Sequence, residues 1–164
     1  MIKAYITGLG CISSIGNNFY EFSDAILKGS NGVRPISRFD TTGFSAKVAA
    51  EVPGYDAKKH FNATELNLLD RHSQYAMLAT EEAINDSELD SPSSLGDRTA
   101  AIFGTGIGGQ ETLNEGYVRI LVDKHSRVHP FTVPKLIPCA AVSHVSMKYG
   151  ITGPSFVTTS ACSS

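Results

Sequence analysis

Apolar residues occur in short runs set apart by glycine and proline, and the runs follow two periods. Residues 3–9 (KAYITGL) are rich in β-formers and bounded by glycine, which predicts a first buried strand. Helical spacing follows at Phe19, Phe22, Ile26 and Leu27, with Asn18 at the N-cap position and Gly29 where a terminating glycine belongs. Residues 30–45 carry Gly, Pro, Ser and Thr throughout and predict a loop. A short strand is expected at 46–52, ended by Pro53-Gly54.

The longest helix is expected over 63–86, capped by Asn62. Its apolar face runs through Leu66, Leu69, Ala76, Ala79, Ala83 and Ile84, and its later part is rich in small residues suited to close packing. A polar loop (SELDSPSSLGD) leads to a strand at 99–103, a glycine-rich turn at 104–109 and a helix over about 110–121. Residues 124–135 read as loop. Residues 136–148 read as helix, with Pro138 tolerated in its first turn, and 155–159 (SFVTT) as a last strand. Strands alternate with helices and lack strict apolar/polar alternation. That pattern predicts an α/β fold with a mostly parallel sheet covered by helices.

Composition narrows the class. The 164 residues carry a formal net charge of -2, with 41% apolar and 18% charged residues, as in an ordinary soluble globular protein of one domain. Basic residues are scattered, so neither nucleic acid nor an anionic membrane is an expected partner. No apolar stretch reaches the roughly 20 residues that span a bilayer. Ala4 to Tyr20 is uncharged, but glycines and polar residues interrupt it, and it reads as strand and turn rather than a signal segment. Cys11, Cys139 and Cys162 are an odd count at wide spacing, which points to a reducing cytoplasm and no disulfide framework. The five histidines show no metal-ligand spacing.

Two stretches could carry chemistry. Gly104-x-Gly106-x-x-Gly109 follows an expected strand and precedes a helix, as in a dinucleotide-binding turn. Val118–Val122 could then be the second strand, with Asp123 placed for a ribose. The intervening helix would be short for such a crossover, and a glycine turn that merely lets backbones pack closely explains the same residues. The second stretch is SFVTTSACSS. Small residues around Cys162 suit a strained elbow that presents a nucleophile. The free N–H groups of a helix starting there would favour thiolate and hold an oxyanion. A buried, inert cysteine is the alternative. Cys11 and Cys139 lack such a setting and read as packing residues.

Taken together, YITGLG (5–10), SSIGNN (13–18), FDTTGF (39–44), LLDRHSQYAMLATEEAI (68–84), GTGIGGQETL (104–113), HPFTVPKLIP (129–138) and GPSFVTTSACSS (153–164) resemble the β-ketoacyl–acyl-carrier-protein synthases. The likeness covers essentially the whole chain and is nearest the type II elongating branch. It implies a thiolase-like fold, of which residues 1–164 form the first βαβαβ half. It also implies acyl transfer to Cys162, then decarboxylative condensation with malonyl-carrier protein, without metal or cofactor and hence without a nicotinamide. The backbone N–H of Cys162 maps onto one oxyanion donor, and Ile107 onto the residue gating the acyl pocket. Phe131 and Thr132 fall where the family usually has two phenylalanines near the dimer interface and the partner's acyl pocket, so Thr132 departs from the pattern. Cys139 stands where asparagine is common. Acyl- and malonyl-carrier proteins are the implied partners, a homodimer the implied assembly and the cytoplasm the implied location. Two histidines that assist decarboxylation lie in the family's C-terminal half, so these 164 residues alone are expected to be inactive.

Overall fold

The structure, a computed structural model, describes residues 3–89 and 93–164. The middle of the polar loop expected over 87–97 lies outside the described residues. The chain divides into two compact units. The first comprises Met1–Tyr55 with Leu78–Glu88, the second Asp56–Met77 with Leu89–Ser164.

In the first unit, helix α1 (Phe19–Leu27) starts where its sequence signals place it. Asn18 accepts the Glu21 N–H, and Gly29 beyond the C-terminus adopts φ +66°. The strand expected over 46–52 shrinks to β2 (Val48–Ala49), paired antiparallel with β1 (Arg34–Pro35) inside the stretch expected to be loop. Residues 3–9 do not form the predicted strand. Tyr5 and Ile6 are 76% and 83% exposed. The physical reason lies in the next residues, where the Leu9 N–H is donated to Asp86 and the Cys11 N–H to Glu82. Carboxylates on a helix thus take the N–H groups that a sheet ladder would need. Glu82 also accepts the N–H of Phe19, tying the start of α1 to the same helix.

The helix expected over 63–86 is broken in two, with the part up to Met77 in the second unit and residues 78–86 in the first. Helix α2 (Ala63–Leu68) opens with a reciprocal capping box between Asn62 and Glu65, and α3 (Arg71–Asp86) follows after an extended Leu69. The break is made by Asp70, whose carboxylate accepts the His72 N–H at 3.1 Å and so starts a new helix. Strands β3 (Ala101–Gly104) and β4 (Ser155–Thr158) form a parallel pair, Ile102 opposite Phe156. Helix α4 (Gln110–Tyr117) continues as a π-helical turn over Val118–Val122. That stretch is therefore not the second strand a dinucleotide-binding unit needs, and this part of the fingerprint reading is overturned. A short helix α5 (Thr132–Leu136) occupies the end of the stretch expected to be loop.

Helix α6 (Ala140–Tyr149) begins later than expected, after Pro138, and ends at Gly150 in the left-handed region. It is the densest part of the core. Ala140, Ala141, Val142, Val145 and Tyr149 are all buried, and the helix packs on β3 and β4. Val145 contributes about 1.5–3 kcal/mol through burial. The molecule is thus an α/β structure with a parallel strand pair under a helix. Among the described residues, no helix is long and apolar enough to cross a membrane.

Candidate active site

Strand β4 runs out into the segment that holds Cys162. Past Thr158 the backbone bends at Ser160, and Ala161 adopts φ +50°, a left-handed conformation costly for a residue with a Cβ. A single 3-10 turn, Ala161–Ser163, follows. Ser164 closes it. Its Oγ accepts the Ser160 N–H at 2.7 Å and donates to the Ala161 carbonyl at 2.8 Å, while its own N–H also reaches that carbonyl. Cys162 sits exposed on this tied, strained turn. The elbow expected from the small residues is present, although its helical part is one short turn.

The glycine-rich loop lies against the same turn. A side chain on Gly104 would stand 2.6 Å from the Ser164 carbonyl carbon, and one on Gly106 would stand 3.6 Å from the Ala161 carbonyl oxygen. The strand end is extended by a bond from the Thr105 N–H to the Thr158 carbonyl. At its other end the loop packs on α5. A Cβ at Gly109 would lie 2.5 Å from the Leu136 Cα, and the Gly109 N–H is donated to the Leu136 carbonyl at 2.9 Å. The glycines therefore leave room for protein backbone at both ends, the close-packing alternative raised by the sequence. Ile107, 67% exposed, stands in the middle of the loop.

Phe131 immediately precedes α5 and is exposed, its ring 5.8 Å from that of His129. Thr132 opens α5 and lines a groove of about 500 Å³ with Asn67, Thr112, Arg119, His129 and Lys135. Ile107, Phe131 and Cys162 are not part of that lining. The loop 104–109 is what joins the pieces, bridging the Cys162 turn to the helix that Thr132 begins. Cys139, in front of α6, is exposed, and Cys11 is half-buried. Burial, the largest influence on it, pushes the Cys11 thiol up. Asp123, nominated for a ribose, borders the groove beside Thr132 instead.

A polar cluster at the α2–α3 break was not singled out in the sequence. Asp70 is almost wholly buried. It accepts the Thr112 N–H at 2.8 Å and faces the His72 Nδ1 at 3.1 Å, and these bonds outweigh burial and hold its carboxyl well below the usual carboxylate range. Arg71 grips Glu111 through Nε at 2.6 Å and Nη2 at 3.3 Å. His144 on α6 is half-buried, and burial lowers its pKa against an opposing bond to the Leu68 carbonyl. The one signal in the sequence was Asp70 two residues before His72, the spacing of an N-cap inside an apparent helix.

This geometry belongs to a known family: residues 3–164 match the family described as beta-ketoacyl synthase, N-terminal domain, and the chain is a member of it. It is 38% identical over 161 residues to 3-oxoacyl-[acyl-carrier-protein] synthase 2 of Staphylococcus aureus (strain MRSA252), which takes in 98% of this chain and 39% of the relative. The protein of the same name from Synechocystis sp. is 35% identical over 161 residues, 98% of this chain and 38% of the relative. Among solved structures, the ishigamide ketosynthase/chain length factor superposes with a TM-score of 0.82 at 27% identity, over 94% of this chain and 39% of that one. The fold is that of the thiolase-like ketosynthases. The chain spans about 39% of the length of the relatives it matches.

Proposed function

We propose that this chain is the N-terminal, nucleophile-bearing half of a β-ketoacyl–acyl-carrier-protein synthase that elongates acyl chains. The observation that carries the reading is the exposed Cys162 on a strained turn at the end of a parallel strand, packed against the loop that bears Ile107. The family match over 3–164 and the two relatives named for 3-oxoacyl synthesis support it.

In this reading the Cys162 sulfur attacks the carbonyl of an acyl-carrier-protein thioester. The carrier's C–S bond breaks, and the carrier leaves as its thiol. Malonyl-carrier protein then loses carbon dioxide, and the electron pair of the broken C–C bond attacks the Cys162 thioester. A new C–C bond forms, the Cys162 sulfur departs, and the product is a 3-oxoacyl thioester two carbons longer. The Cys162 N–H steadies the oxyanion. Ile107 gates the acyl pocket, and Phe131 and Thr132 lie near the dimer interface and shape the acyl pocket of the partner protomer. The residues that assist decarboxylation belong to the C-terminal half, so residues 1–164 alone condense nothing. The enzyme acts as a cytoplasmic homodimer and needs neither metal nor organic cofactor. A chain-length partner without catalysis is disfavoured by the presence of Cys162.

The test is condensation by the full-length protein supplied with acyl- and malonyl-carrier proteins. A product two carbons longer, lost in Cys162→Ala, is expected. Unchanged turnover in Cys162→Ala would refute the reading.

A further inference from the structure

Helix α4 begins at Gly109, which has no side chain with which to cap it. The donor that a resident N-cap would bind, the N–H of the third helical residue Thr112, is taken at 2.8 Å by Asp70, 42 positions away in the chain. Gly109 cannot carry the cap itself. A Cβ there would stand 3.2 Å from the Asp70 Cγ and 2.6 Å from the Lys135 carbonyl oxygen. The neighbouring Arg71 holds the second helical residue, Glu111, by two prongs. Asp70 is itself fixed from behind by the N–H and Nδ1 of His72, both at 3.1 Å, and its side chain is 2% exposed.

We propose that Asp70 and Arg71 are positioning residues for the acyl pocket: they cap α4 across the fold and so anchor one end of the loop that carries Ile107. The other end is anchored at β3, where the Thr105 N–H reaches the Thr158 carbonyl and the Thr105 Oγ1 accepts the Gly108 N–H at 3.1 Å. Ile107 lies between these two anchors. Releasing one of them leaves Cys162 in place and changes how far, and how often, the gate side chain swings. The effect is therefore on which acyl chains are accepted and not on the thiol. This inference rests on the roles proposed above for Cys162 and Ile107.

Asp70→Ala removes the acceptor, whereas Asp70→Asn keeps an oxygen for Thr112. In the full-length protein, hydrogen exchange at the amides of 108–112 should be about tenfold faster in Asp70→Ala, with β3 unchanged and Asp70→Asn intermediate, because its NH2 would face the His72 N–H. The ratio of kcat/KM for long over short acyl donors should shift by about tenfold, while alkylation of Cys162 by iodoacetamide stays within about twofold. Should Asp70→Ala fail to fold, Arg71→Gln should show the same pattern, weaker. Unaltered exchange at 108–112, or an equal rise throughout the second unit, would overturn the cap. Faster exchange with an unaltered chain-length ratio would overturn the positioning role. A wild-type protein that accepts no acyl group would refute the proposed function and with it the pocket role, leaving the exchange result to decide the cap alone.

Discussion

Buried Asp70 and half-buried His144 set how the second unit responds to pH, and they act at different ends of the acid range. Burial lowers the His144 pKa in the folded protein, so the unfolded chain binds the proton more readily. Its contribution is complete above the ordinary histidine value of about 6.5 and is lost as pH falls through the window beneath it. Asp70 is held well below the usual carboxylate range by its bonds to His72 and Thr112, against the opposing cost of burial. Its contribution is complete above about pH 4 and fades as pH falls further. Thermal midpoints measured from pH 8 to pH 3 should therefore decline in two steps, with His144→Gln flattening the upper one only. A flat profile between pH 7 and pH 5 in the wild type would contradict this assignment. Neither residue stood out in the sequence, because each draws its character from partners distant in the chain, Thr112 for Asp70 and Leu68 for His144.

Elements whose signals are local form where the sequence places them. Asn18 and Gly29 bound α1, Asn62 opens α2, and the β-rich runs before Gly104 and after Pro154 become β3 and β4. The Asn62–Glu65 box is strong enough to start a helix of only six residues, and Asn62→Ala should cost about 1 kcal/mol in urea unfolding of the protein. No loss of stability would show that packing against its neighbours, and not the cap, holds α2. Elements that depend on remote partners were not legible. Asp70 starts α3 through the nearby His72 N–H but is held in place by the remote Thr112, and the N–H groups of Leu9 and Cys11 are taken by Asp86 and Glu82. Val118–Val122 has the composition of a strand yet continues α4 as a π-helical turn. Periodicity does not distinguish these outcomes, since a short apolar run suits either a strand or a helix end. The candidate site was more legible than its supports. The small residues around Cys162 announce a tight turn, whereas the clamp that holds the Ile107 loop is assembled from residues forty positions apart.

At the scale of the whole molecule, large apolar side chains remain exposed on both units, among them Tyr5 and Ile6 in the first and Ile102, Phe156 and Val122 in the second. Ile102 and Phe156 are register partners on β3 and β4, on the opposite side of the strands from buried Ala101. Paired apolar side chains of this size mark a surface suited to burial against further protein. The central claim is that Cys162 takes the acyl chain as a thioester, and it is tested most directly by intact mass and peptide mapping. The full-length protein would be incubated with a long-chain acyl-carrier-protein thioester and no malonyl donor. One acyl adduct per chain, mapped to the peptide holding Cys162 and absent in Cys162→Ala, is the predicted result. An adduct on Cys11 or Cys139, or none at all in a folded protein, would contradict the account.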